Sequence, residues 1–170
     1  MIEIYDNLIE PHYVTHIQET MLSPSFPWYY APTTVPDKDE VPWFFHNFVE
    51  EETGKYTSPY MNIPMNMLDM FMLGTGYEID KIFRIRANLT FPVKYPDELT
   101  ASHVDQEIPH YVILYYVNDS DGETIFVDSG MEVSPVAGRF VIFDGSNHHC
   151  ARLIKKSKQR VVFNFNVTLK

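Results

Sequence analysis

From Phe83 onwards the apolar residues of this chain recur at every second position, a period that a β-strand satisfies and a helix does not. Between Phe83 and Phe91 the residues Phe83, Ile85, Ala87, Leu89 and Phe91 alternate with Arg84, Arg86, Asn88 and Thr90. Such a strand has one face for a core and one for polar contacts. Further strands are predicted over Tyr111 to Val117, Glu123 to Asp128, Arg139 to Asp144 and Arg160 to Leu169. In the last of these Val161, Phe163, Phe165 and Val167 share one face, which sends Arg160, Asn164 and Asn166 to the other. The link Asn118-Asp119-Ser120-Asp121-Gly122 has turn chemistry and predicts a hairpin between its flanking strands.

The part before Gly76 has a different character. A short strand is predicted at Ile2 to Tyr5, then a helix opened by Pro11 and spaced by Tyr13, Ile17 and Leu22. The proline- and aromatic-rich stretch Ser25 to Phe45 has no helical period and reads as irregular or edge-like. A second helix is predicted from Asn62 to Leu73, ending near Gly74 and Gly76, its methionines serving as packing. The expected fold class is mainly β with flanking helices (α+β), a sandwich or jelly roll covered on one face. With 170 residues and 45% hydrophobic content, one domain is expected, residues 1–80 being peripheral and 81–170 the core.

A formal charge of −10 disfavours nucleic acid and anionic lipid as partners. Cys150 is the only cysteine, so no intramolecular disulfide forms and a reducing compartment is expected. Met1 to Glu10 lacks the basic and apolar features of a secretory leader, and the apolar runs fall short of the ~20 residues that span a bilayer. The expectation is a cytoplasmic protein.

His103 and Asp105 stand two residues apart, so in an extended segment both side chains leave the same face. A second histidine follows the apolar strand ending Phe143-Asp144, where His148 and His149 are both available. Two neutral nitrogens and a carboxylate on one face of an octahedral iron leave three positions open, although zinc takes the same donors. Arg160 adds a guanidinium on the polar face of the final strand. There it needs an anionic partner, and arginine's two-pronged geometry suits a carboxylate.

The order His103-x-Asp105, His149, Arg160 resembles the 2-oxoglutarate/Fe(II) dioxygenase superfamily, in particular its prolyl-4-hydroxylase-like branch. Leu114-Tyr115-Tyr116-Val117-Asn118, Gly122-Glu123-Thr124-Ile125-Phe126 and Gly138 to Phe143 are similar to that branch's neighbouring strands. The likeness covers Arg84 to Val167, about half the chain, and in size and wording is greatest to small bacteriophage-encoded members. It implies a double-stranded β-helix, with Fe(II) on His103, Asp105 and His149 and 2-oxoglutarate and O2 as cosubstrates. The family's spacing of six positions from Phe143 selects His149 over His148 as the ligand. It further implies Arg160 on the distal carboxylate of the oxo-acid, assisted by Tyr116, with Leu114 walling the pocket and Asn88 as an additional contact. The implied reaction is hydroxylation of a C–H bond coupled to decarboxylation of 2-oxoglutarate to succinate, on a prolyl, peptide or small-molecule substrate.

Two readings from other chemistry fail. Numbered as a calcium loop from Asp119, the chain has Thr124 where the turn glycine belongs. Asp144, Ser146 and His149 have hydrolase residue types but crowd one short loop. The standing alternative is a non-catalytic, cupin-like module that binds a metal or ligand, for which Arg160 has no purpose. The Ser25 to Phe45 stretch and the Pro92 to Thr100 loop are expected near the iron as a lid.

Overall fold

The computed structural model describes the chain except residues 36, 52 and 95–97. In chain order the elements are β1 (Ile2–Tyr5), α1 (Pro11–Met21), β2 (Tyr29–Ala31), β3 (Trp43–Val49), α2 (Asn62–Thr75) and β4 (Ile79–Thr90). They continue with β5 (Tyr111–Tyr116), β6 (Thr124–Phe126), β7 (Met131–Val133), β8 (Phe140–Asp144), β9 (His149–Ala151) and β10 (Arg160–Leu169). Seven strands form a major sheet in the order β1-β8-β5-β10-β4-β3-β2, and three form a minor sheet, β7-β6-β9. All pairings are antiparallel.

The period-two pattern divides the major sheet into two faces. Val161, Phe163, Phe165 and Val167 of β10, with Ile113 and Tyr115 of β5 and Ile85 and Ala87 of β4, join the helices in one core. From α1 come Ile17 and Met21, and from α2 Ile63, Met67, Leu68 and Phe71. Phe71 meets Phe140 with ring centroids 5.3 Å apart, which ties α2 to β8. Fully buried rings such as Phe163 each contribute roughly 1.5–3 kcal/mol by leaving water. The opposite face meets the minor sheet through a smaller core that includes Val112, Leu114 and Tyr116 of β5, Val141 and Phe143 of β8, and Phe126 of β6.

Several expectations are corrected. The Asn118 to Gly122 link does not close a hairpin, because β5 already has β8 and β10 on its two edges and offers no third one. The link instead carries the chain to the minor sheet. Asn118 Oδ1 accepts from the Val161 backbone N–H, and the Asp121 carboxylate accepts from the backbone N–H groups of Lys155, Lys156 and Ser157. Part of the stretch read as irregular is strand: β2 forms an edge and β3 lies inside the sheet. Leu22 is not on the buried face of α1; it caps the helix, and Met21 fills the core instead. At the other helix end, Gly76 adopts a left-handed φ of 80°, which suits a residue without Cβ and stops α2. Among the described residues no helix is long and apolar enough to cross a membrane.

Candidate metal centre and arginine pocket

Residues 99–103 run antiparallel beside β9, with bridges Leu99 to Arg152 and His103 to His149. His103 and His149 exchange both backbone hydrogen bonds, each 3.0 Å, which makes them directly opposed residues of a narrow pair. Their rings therefore project together, with centroids 4.7 Å apart. Asp105 follows two residues after His103, and one ligand atom from each of the three lies within 4.8 Å of the others. His148, the other histidine considered, is exposed, whereas His149 is buried.

Hydrogen bonding prepares all three side chains. The Nδ1 of His103 faces the Ala101 carbonyl and that of His149 faces the Asn147 carbonyl, each at 3.1 Å. A carbonyl only accepts, so Nδ1 carries the proton in both rings and each Nε2 presents its lone pair. Burial lowers the His149 pKa and favours its neutral, metal-binding form. Asp105 Oδ2 accepts from the amides of Asn164 and Asn166, each at 2.9 Å, and Oδ1 lies 3.2 Å from Arg84 Nη2. Burial opposes its ionisation, but Arg84, His149 and the two amides outweigh it and hold this carboxyl well below the usual range. Two neutral nitrogens and an ionised carboxylate are a donor set that fits a divalent iron.

The centre opens into a cavity of about 310 Å³ between the minor sheet and the face of the major sheet turned away from the helices. Its polar wall on β4 is Arg84, Arg86, Asn88 and Thr90, the residues that alternation assigned to the polar face. Arg160 is buried at one end, where Nη2 donates to Thr124 Oγ1 at 3.0 Å and Nε has no partner. Among the described residues no carboxylate is ion-paired with Arg160, and its pKa is lowered by burial. A buried guanidinium with an unspent donor is suited to receiving an anion.

Leu114 lines the cavity, as does Asn88, whose Oδ1 is buried without a partner. Tyr116 is fully buried: its hydroxyl donates to Thr124 Oγ1 at 2.8 Å, and its ring lies 5.5 Å from the Arg160 guanidinium carbon. It stands behind Arg160 and joins it through Thr124. Sequence reasoning missed Thr124 and the attachment of Arg84 to Asp105. Arg84's place on the polar face of an alternating strand was the available signal, whereas a threonine in a short strand gives none. Thr34, Val35, Trp43 and Thr100 bring parts of both expected lid segments to the cavity, while residues 36 and 95–97 lie outside the described residues.

No protein-family profile matches the chain, and no curated protein sequence matches it. Solved structures do. An oxidoreductase of the 2OG-Fe(II) oxygenase family from Burkholderia pseudomallei superimposes with a TM-score of 0.75 at 14% identity, over 98% of this chain and 84% of that one. A prolyl hydroxylase from Trichoplax adhaerens, in complex with a hypoxia-inducible-factor peptide fragment, gives 0.70 at 13% identity over 98% and 83%. The α-ketoglutarate-dependent epimerase SnoN of nogalamycin biosynthesis gives 0.66 at 12% identity over 98% and 78%. The chain thus has the jelly-roll fold of the 2-oxoglutarate/Fe(II) oxygenases. Within that class its likeness extends to prolyl hydroxylases and to an epimerase alike; these structures lend no support to the bacteriophage resemblance.

Proposed function

We propose that this protein is an Fe(II)- and 2-oxoglutarate-dependent oxygenase that hydroxylates a C–H bond. The observation that carries the reading is the pairing, in one cavity, of the His103, Asp105 and His149 cluster with a buried Arg160 whose Nε is unspent. A cupin-like binding module accounts for the first but not the second.

His103, Asp105 and His149 would hold the iron, and Arg160 the distal carboxylate of 2-oxoglutarate, with Thr124 steering the guanidinium and Tyr116 backing it. Leu114 and Val162 would give the cosubstrate apolar walls, and Asn88, which lines the same cavity, would donate its side-chain amide N–H to it. When bound, the iron and oxo-acid would together activate O2 for attack on an unactivated C–H bond, one oxygen atom going to the product and the other to succinate, with carbon dioxide released. Asn164 and Asn166 orient Asp105, each donating its side-chain amide to Oδ2. The substrate class is peptide or small molecule. The Trichoplax enzyme's peptide complex favours the former, and the aromatic, proline-rich rim is compatible with either.

Anaerobic titration with Fe(II) and 2-oxoglutarate tests the reading. A visible charge-transfer band is expected in the native chain, lost in His149→Ala and weakened in Arg160→Ala. Iron binding without a band would defeat the 2-oxoglutarate assignment.

A further inference from the structure

Two histidines and two arginines line the cavity besides Arg86, and each has a task. His103 and His149 belong to the metal centre, Arg160 waits at one end, and Arg84 bridges Asp105 and Glu51 at 3.2 and 3.0 Å. Arg86 does not fit this division of labour. It lies on β4 directly across from Asn164, the residue that holds Asp105, and on its other side across from Asn47 of β3. Neighbouring strands are about 4.8 Å apart, so Arg86 stands one strand to the side of Asn164. That side faces away from the β10 end that carries Arg160, towards the aromatic margin formed by β2 and β3.

Its surroundings build a cradle. Nε donates to Asn47 Oδ1 at 2.8 Å, and the guanidinium carbon lies 5.7 Å from the Trp43 ring centroid and 5.3 Å from that of Phe45. Aromatic faces satisfy the flat sides of a guanidinium and leave its edge available, and the edge is where oxyanions bind. With Nε fixed, the two terminal nitrogens form the remaining two-pronged edge. Among the described residues no carboxylate is ion-paired with Arg86, although Arg84 is. Burial and the neighbouring Arg84 charge push its pKa down to about 10, against the opposing pull of the Glu51 and Asp105 carboxylates, neither of which is ion-paired with it. In a chain of net charge −10, a largely buried arginine with no ion-paired carboxylate among the described residues is not explained by packing alone.

We propose that Arg86 is the anchor for a carboxylate on the substrate, so that the molecule oxidised here is an acid. The planar edge of Arg86 matches a carboxylate in two-pronged fashion, and a cavity of about 310 Å³ shared with the cosubstrate admits only a small reacting portion. Two arginines then divide two carboxylates: Arg160 takes the cosubstrate's and Arg86 the substrate's. Only the word substrate rests on the oxygenase reading; the anion site itself does not.

Trp43 supplies a reporter, since Trp28 is the only other tryptophan and Trp28→Phe leaves Trp43 alone. The Trp28→Phe protein, saturated with Zn(II) and 2-oxoglutarate so that Arg160 is occupied, is titrated with propionate and with propionamide while Trp43 emission is followed. A saturable change with propionate is expected, at least about tenfold weaker with propionamide, as the loss of one charge-assisted pair requires. It should vanish with Arg86→Gln added, and weaken with Arg86→Lys, which keeps the charge but not the fork. Equal responses to acid and amide, no response to the acid, or a response that survives Arg86→Gln would overturn the proposal. Should Arg86→Gln not fold, an unchanged propionate affinity in Arg86→Lys overturns it equally. If Fe(II) and 2-oxoglutarate give no charge-transfer band, the oxygenase reading fails by itself. The propionate titration of the metal-free chain then still decides whether Arg86 binds a carboxylate.

Discussion

Asn166 donates its side-chain amide to Oδ2 of Asp105 at 2.9 Å, from the interior of β10 to a loop 61 residues earlier in the chain. Asn164 gives the same oxygen a second amide at 2.9 Å. Both are buried, so the carboxylate is oriented by groups outside the His103, Asp105 and His149 cluster. Asn166→Ala and Asn164→Ala are each expected to weaken divalent metal affinity by roughly 10- to 100-fold. Because they share one acceptor, the double variant should lose less than the sum of the two in free energy. Competition against a fluorescent chelator measures this; wild-type affinity in both single variants would mean that Asp105 needs no such support.

Thr124 stands between the Tyr116 hydroxyl and the Arg160 guanidinium and accepts from both. Thr124→Val keeps the shape but strands two buried donors, at a cost of about 1–3 kcal/mol in denaturant unfolding. It also frees Arg160 to turn. Affinity for 2-oxoglutarate, followed by the charge-transfer band, should fall by about tenfold while iron affinity stays near wild type. Thr124→Ser retains the hydroxyl and is expected to behave much as the native chain. A normal 2-oxoglutarate affinity in Thr124→Val would show that Arg160 is positioned without it.

The face of β10 carrying Arg160, Asn164 and Asn166 was legible because Val161, Phe163, Phe165 and Val167 mark the opposite face without ambiguity. The same reasoning placed Arg84, Arg86 and Asn88 on the cavity side of β4. It failed on β3. Trp43 and Phe45 lie towards Arg86 while Phe44 and Phe48 pack with the helices, so aromatic residues on both faces erase the alternation. The 118–122 link misled for another reason: its residues fit a tight turn, but Asp121 spends its carboxylate on the backbone of residues 155–157. A local pattern cannot reveal a partner 34 residues away. His149 could be placed in the site by the family's spacing, yet the backbone pairing that sets it opposite His103 belongs to a three-residue strand too short to have a period.

Asp39 ties the segment around Thr33 to the one that leads to His103. Its carboxylate accepts from the hydroxyls of Thr33 and Thr34, from the backbone N–H of Thr34 at 2.9 Å and from that of Ala101 at 3.0 Å. Burial opposes the charge, but the bonds from Thr34, Ala101 and Thr33 outweigh it and lower the pKa from 3.8 to about 2. Because the folded value is the lower one, the ionised group contributes stability in full above 3.8. That contribution is lost as the pH falls through about 2. Asp39→Asn removes it at every pH. The difference in unfolding free energy between the native chain and Asp39→Asn should therefore shrink steadily on acidification across that window. A difference that stays constant down to pH 2 would mean that the charge of Asp39 is not what holds the two segments.

The loop after β8 is shaped by Gly145, where an added Cβ would lie 2.2 to 2.5 Å from three atoms of the His110 ring. That ring cannot step aside freely, because its Nδ1 is bonded to the Ile108 carbonyl at 2.7 Å and the Gly145 N–H is bonded to the His110 carbonyl at 2.9 Å. Gly145→Ala is expected to destabilise by about 1–3 kcal/mol through overpacking. Its effect should reach the metal as well, since the same loop presents the Asn147 carbonyl that fixes the His149 ring. Removing the obstacle tests the cause. In His110→Ala with Gly145→Ala the new methyl occupies space that the imidazole vacates, so the pair should be more stable than the sum of its single variants by about 0.5–3 kcal/mol. Iron affinity should recover with it. Strict additivity in both measurements would mean that the glycine serves the loop's backbone and not the ring of His110.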